Sequence, residues 1–198
     1  MVMSRWKPDA RGGLERAAVE LFTERGFAET TVPQITARAG LTTRTFFRHF
    51  ADKREVLFAG DEELPALVAR LVADAPDALT PMQVIARGLE AVTAARFEGQ
   101  LAYLRARRAI VRADEGLRER ELRKLATLSE AIGQAFRERG LDELTAILAA
   151  RLAVTVFNVT IDRWLDQAEE RPLSELARDT LRALRAVAAA PAEQPHRA

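Results

Sequence analysis

A chain of 198 residues with 48% hydrophobic content is long enough for one or two compact domains with cores of their own. Its formal net charge of +1, from 30 Lys or Arg against 29 Asp or Glu, excludes a protein that coats nucleic acid by bulk electrostatics. Without cysteine there is no disulfide or thiol chemistry, and two histidines outside any ligand-like cluster point to no metal centre.

The first helix is read from Leu14, Ala17, Ala18, Leu21 and Phe22, which follow the i, i+3, i+4, i+7, i+8 spacing of one face. Gly26 is expected to end it in a left-handed turn. Thr31-Val32-Pro33-Gln34 then reads as a capping box with proline in the first turn, opening a second helix with Ile35 and Ala39 on its inner stripe.

After Gly40 a short third helix is predicted over residues 42–50, with the Thr42 hydroxyl as its cap. Phe46 and Phe50 share one side, Thr43, Arg44, Phe47 and Arg48 project away from it, and Thr45 and His49 lie along the border. A helix this short is marginal alone, so its phenylalanines must dock on neighbours and leave the arginine face free to enter a major groove. Asp52-Lys53-Arg54-Glu55 is a second box, predicted to open a fourth helix through Val56, Leu57 and Phe58 toward Ala73 with a kink at Pro65.

The rest reads as helix, with glycines at breaks and no alternating strand pattern. Residues 74–79 form a turn, and Thr80-Pro81-Met82-Gln83 opens a fifth helix to about Phe97. Gly99 precedes a sixth ending near Val111, a long seventh covers about 117–140, Asp142 caps an eighth to about residue 168, and a ninth covers 173–189. Residues 191–198 are expected to be a disordered tail. The expected architecture is therefore all-α, with a helix-turn-helix domain at 1–57 and a helical bundle at 58–190.

The run from Leu14 to Leu57 resembles the TetR family of transcriptional regulators. The likeness rests on Ala18-Val19-Glu20-Leu21-Phe22, Gly26-Phe27, Thr30-Thr31-Val32, Ile35, Ala39-Gly40, Thr45, and the spacing Phe50-x-x-Lys53-x-x-x-Leu57. It implies that the third helix lies in the major groove of DNA and that Lys53 holds a phosphate from the start of the next helix. Chemistry agrees at Arg44 and Arg48, whose forked guanidiniums can bond a guanine edge or a phosphate; Arg44 is expected to read bases, being nearer the helix N-terminus. Thr31, Thr42, Thr43, Thr45, Phe47 and His49 complete the expected contact set, with Thr42, Thr45 and His49 as phosphate positioners. Relatives commonly carry tyrosine where this chain has Phe47, which leaves contact with a thymine methyl or sugar. For His49 the alternative is plain helix surface, and the tail with Arg5, Lys7 and Arg11 is either a minor-groove arm or unstructured.

The resemblance also implies a homodimer built by the last two helices and a cavity for a small-molecule effector. The eighth helix is apolar on more than one side, and Leu148, Leu152, Thr155, Val159 and Asp162, with Leu173, Leu176, Thr180, Leu181 and Leu184 of the ninth, form the expected dimer surface. Closure of a monomeric core is the competing use of that surface. Expected pocket walls are Phe97, Tyr103, Arg107, Leu128, Ile132, Phe136, Phe157 and Trp164, each also readable as ordinary core. Residues 43–50 and the carboxy-terminal pattern resemble, more faintly, actinobacterial regulators of the mycofactocin-system type, which implies an apolar or acyl-CoA-like effector.

The resulting expectation is a ligand-responsive repressor on a pseudo-palindromic operator, needing no cofactor or metal. No nucleophile with a base, acid pair in a cleft, or phosphate loop suggests an enzyme. A constitutive architectural or interaction protein without ligand response is the alternative. No signal peptide is seen, and the apolar stretch 152–161, bracketed by Arg151 and Asp162, is too short for a bilayer, so a cytoplasmic protein without membrane contact is expected.

Overall fold

The computed structural model describes residues 9–97, 99–167 and 171–189, which form nine α-helices and no strand. The chain divides into two compact units, one of Met1–Leu64 with Ala102–Lys124, the other of Pro65–Leu101 with Leu125–Ala198. The first is therefore larger than the domain expected at 1–57. It takes up most of the sixth helix and the start of the seventh, whose Ile110, Val111 and Leu117 are buried in the same core as Phe22, Phe46 and Leu57.

In the first unit α1 (Ala10–Arg25) starts at Asp9, whose carboxylate accepts from the Gly12 amide at 3.0 Å, a cap the sequence reading missed. It buries the five residues expected, from Leu14 to Phe22, and ends at Gly26, whose ψ of 157° is extended rather than left-handed helical. The box at Thr31 forms as expected and starts α2 (Val32–Arg38), with the Thr31 amide donating to Gln34 Oε1 at 2.8 Å. Gly40 makes the turn at φ +66, the left-handed region that costs glycine least, and lets the Leu41 amide return to the Thr36 carbonyl at 2.8 Å. α3 (Thr43–His49) follows at once.

The expected fourth helix is divided. Asp52 and Glu55 do cap, Asp52 Oδ1 accepting from the Arg54 and Glu55 amides and Glu55 accepting from Ala51, but they open only a 3-10 turn over Glu55–Phe58. Gly60, at φ +83, breaks the chain direction before a second 3-10 turn, and α4 (Leu64–Ala73) begins afterwards. Pro65 thus stands in the first turn of α4, where its missing N–H and fixed φ are tolerated, and causes no kink there. Within this unit Arg107 of α6 (Leu101–Ala113) fastens the turn: its Nε donates to the Leu57 carbonyl at 2.6 Å and Nη2 to Asp61 Oδ2 at 3.0 Å.

The second unit packs α5 (Pro81–Arg96), α8 (Glu143–Asp166) and α9 (Leu173–Ala189) against one another, with Leu128, Ile132 and Phe136 of α7 (Glu115–Glu138) also buried. The caps read at Thr80 and Asp142 are present, with the Thr80 amide on Gln83 Oε1 at 2.8 Å and the Thr145 amide on Asp142 Oδ1 at 3.1 Å. Arg139 finishes α4 within this unit: its guanidinium donates to the carbonyls of Val72, Ala73, Ala75 and Pro76, while its side chain is 11% exposed. The expected tail at 191–198 and the expected end of α8 at residue 168 lie outside the described residues.

Candidate nucleic-acid interface

α3 is positioned by its inner side. Phe46 is 0% exposed and Phe50 2%, and the two rings meet at 5.4 Å in the core shared with Leu14, Ile35 and Leu57. Burying two such side chains supplies roughly 3–6 kcal/mol toward docking a helix too short to stand alone. The Thr42 hydroxyl accepts from the Thr45 amide at 3.1 Å and meets the Thr45 hydroxyl at 3.0 Å.

The outer side is then determined by helical spacing. Thr43, Arg44, Phe47 and Arg48 are exposed together, and Thr45 and His49 are half-buried along the edge. Arg44 makes no hydrogen bond or ion pair among the described residues. Arg48 Nη2 stands 3.4 Å from His49 Nε2. Phe47 is 56% exposed, its ring edge-on to Phe46 at 5.4 Å, an apolar body held at the surface between two cations. Thr31, at the start of α2, is exposed as well.

Lys53 departs from expectation. Its ammonium does not stand free at a helix N-terminus; Nζ donates to the carbonyls of Phe27 at 2.8 Å, Ala28 at 3.1 Å and Thr30 at 3.0 Å, and lies 4.4 Å from the Phe27 ring centroid. The helix it was expected to open is a 3-10 turn, and the flexible side chain folds back onto the loop after α1.

Residues 15–59 match the family described as bacterial regulatory proteins, tetR family. Residues 15–59, which hold α2, α3 and the Lys53 turn, are thus similar to the amino-terminal segment of that family. A curated relative, the HTH-type transcriptional regulator TcmR of Streptomyces glaucescens, is 34% identical over 91 residues, 46% of this chain and 40% of that protein, so the match spans about two-fifths of the relative's length. In fold, about nine-tenths of the chain or more resembles solved structures of TetR-family repressors. The FadR repressor of Thermus thermophilus, in complex with lauroyl-CoA, matches with TM-score 0.52 and 24% identity over 95% of this chain and 99% of its own. SmeT, the repressor of a Stenotrophomonas maltophilia multidrug efflux pump, matches with TM-score 0.58 and 24% identity over 89% of each chain.

Of the eight pocket residues expected from the TetR likeness, Tyr103 and Arg107 belong to the first unit. Tyr103 packs on that unit's core, where burial raises its phenol above the usual value, and Arg107 is spent on Leu57 and Asp61. The other six fall in the second unit: Leu128, Ile132, Phe136 and Trp164 are buried, and the Phe97 and Phe157 rings meet at 5.8 Å. A cleft of 390 Å³ in this unit lies elsewhere, between Ala86 and Glu90 of α5 and Arg178, Leu181, Arg182 and Arg185 of α9.

The expected dimer surface is half corrected. On α8, Leu148 is 52% and Val159 43% exposed, Thr155 and Asp162 are exposed and Leu152 half-buried, so this stripe does face outward. On α9, Leu173, Leu176, Thr180 and Leu181 are buried inside the unit, because they are the face that packs on α8 and α5; Leu184 is half-buried. Val187 on α9 is 76% exposed; Leu144 at 66% and Ile147 at 36% exposure were missed, although Leu144 and Leu148 stand four apart on one face of α8. The uncharged stretch 152–161 also understated α8, which is 24 residues long and contains an 18-residue window of mean hydropathy 1.8.

Proposed function

We propose that this chain is a ligand-responsive transcriptional repressor that binds a pseudo-palindromic operator as a homodimer. The observation that carries the reading is the outer face of α3, where Arg44, Phe47 and Arg48 stand exposed on a helix whose opposite side is sunk in the core. Arg44 is assigned to a base edge, Arg48 and the Thr42, Thr45 and His49 edge to the sugar-phosphate backbone, and Phe47 to an apolar contact such as a thymine methyl. Thr31 and Thr43 complete this contact set.

The α8 stripe supports the dimer. Leu144, Leu148 and Val159 expose large apolar side chains that water does not favour, and a two-fold partner would cover them while presenting two reading heads. The weak net charge of +1 makes that duplication necessary, since affinity must come from placed groups. The effector is assigned to the apolar set Phe97, Leu128, Ile132, Phe136, Phe157 and Trp164, and to a small apolar or acyl-CoA-like class. It releases DNA only if it binds better to the conformation whose heads are wrongly spaced.

The test is selection from a pool of randomised duplexes followed by footprinting. Recovery of one short palindrome, protected over two half-sites, is the expected result. Broad coverage without a common sequence would instead mark a constitutive architectural protein.

A further inference from the structure

Lys53 has the charge of a phosphate ligand but not the freedom of one. The loop between α1 and α2 turns its Phe27, Ala28 and Thr30 carbonyls toward one point, and the Lys53 ammonium sits there, 2.8 Å, 3.1 Å and 3.0 Å from them. An ammonium has three N–H donors, and here each has an acceptor. The Phe27 ring centroid lies 4.4 Å from the charge, with its electron-rich π-system available to the cation. A phosphate oxygen could be bonded only by giving up a loop carbonyl.

From this arrangement we infer that Lys53 is a positioning residue for sequence reading: it clamps the α1–α2 loop and so sets the angle at which α2 presents α3 to DNA. The chain of contacts is short. The clamped loop ends at Thr30, fully buried, whose hydroxyl donates to the Gly26 carbonyl at 2.9 Å. The next residue, Thr31, starts α2, and α2 passes through the Gly40 turn directly into α3. The Lys53 backbone is itself fixed, because the Asp52 carboxylate bonds the two amides that follow it. An error at the loop is therefore carried into the direction of Arg44. The inference rests on the assignment of α3 as reading helix.

The experiment measures affinity for the duplex selected by the wild-type chain and for a scrambled duplex of equal length, each across a salt series, for wild type, Lys53→Met and Lys53→Arg. A phosphate ligand would tolerate arginine, which keeps the charge, and lysine-to-methionine would flatten the salt slope by about 0.9 per head. The clamp gives a different pattern. Arginine's planar fork cannot reproduce a three-donor tripod, so both variants lose roughly tenfold or more in the ratio of selected to scrambled affinity, with the salt slope retained. A kept ratio in Lys53→Arg, or a flattened slope in Lys53→Met, overturns the inference. Should the Lys53 variants fail to fold, Phe27→Leu weakens the same cage more gently and must lower the ratio; an unchanged ratio there overturns it too. If the wild type selects no sequence, the reading of α3 falls and this inference with it, an outcome distinct from a wild type that reads DNA and an arginine variant that reads it equally well.

Discussion

Arg38 of α2 grips Glu24 of α1 with both prongs of its guanidinium, Nη1 to Oε1 at 2.9 Å and Nη2 to Oε2 at 2.8 Å, and Nη1 also reaches Glu20 Oε2 at 3.2 Å. Hydrogen bonding from Arg38 holds the Glu24 carboxyl below its ordinary 4.5. A depressed folded-state value means the pair stabilises above the ordinary carboxylate range and loses that stabilisation as pH falls through the lower folded value. Arg38→Gln should therefore lower the urea midpoint slightly at neutral pH, and the two curves should converge below that range. An equal gap at both pH values would show that the guanidinium acts by packing alone. The pair is exposed, so the effect is small.

Arg44→Ala should abolish preference for the selected duplex while leaving the fold intact. The side chain is exposed and makes no bond among the described residues, so unfolding should shift by less than about 0.5 kcal/mol. A lost bidentate base contact costs about 1–3 kcal/mol per head. Gel mobility shift against calorimetry separates the two. Unchanged specific binding would assign base reading to another residue of α3.

Phe47→Ser probes the apolar member of the same face. With 56% of Phe47 exposed and only its edge on Phe46, the melting temperature should hardly move, while affinity for the selected duplex falls. The sharper expectation concerns which base pair suffers. Replacing thymine by uracil in the operator should weaken the wild type and leave Phe47→Ser indifferent, since the methyl it meets is then gone. Equal sensitivity in both proteins would remove Phe47 from the base contact.

The outward face of α3 was legible because its signals are local: a cap at Thr42, a glycine at 40, and two phenylalanines four apart fix which side of the helix faces out. The Lys53 cage was not, since three carbonyls between residues 27 and 30 carry no mark in the sequence of what will bond them. The division of the fourth helix is not legible from its capping box, which signals a start but not a length, and the break comes from Gly60 at φ +83. On α9 the heptad-like leucines were read as a dimer face. The same spacing serves a helix packing on its own neighbours, and periodicity alone does not say which partner occupies the stripe.

Arg139→Ala should destabilise the second unit without touching the α3 face. Its guanidinium is the donor for four carbonyls at and just past the end of α4; those of Val72 and Pro76 also accept from the Ala75 and Leu79 amides, so Ala73 and Ala75 depend on it most. Leaving even one or two of these unsatisfied in a part-buried setting costs about 2 kcal/mol or more. The expected result is a lower urea midpoint, with protection of the α5–α8–α9 packing reduced in hydrogen exchange. Arg139→Lys should recover only part of the loss, because one ammonium cannot span carbonyls from residue 72 to residue 76. Full recovery would mean that charge near the helix end, not the fork, is what matters.

Leu148→Glu tests the dimer at its most economical point. Leu148 is 52% exposed, so the substitution removes little from the protomer's own core, and the folded chain should persist with nearly unchanged circular dichroism. In a two-fold interface every residue is placed against the same surface of the partner, so one substitution introduces two carboxylates into a patch formed by Leu144, Leu148 and Val159. Desolvating them without a cation is unfavourable enough to separate the subunits. Sedimentation should show the mass of one 22.0 kDa chain. Operator affinity should fall with it, because a single head with few phosphate contacts cannot hold DNA at physiological salt. Leu184→Glu on α9 is the contrasting control: the side chain is half-buried in its own unit, so it should cost stability as well as assembly. A Leu148→Glu protein that remains a dimer and still binds its palindrome would place the interface on another face of the second unit.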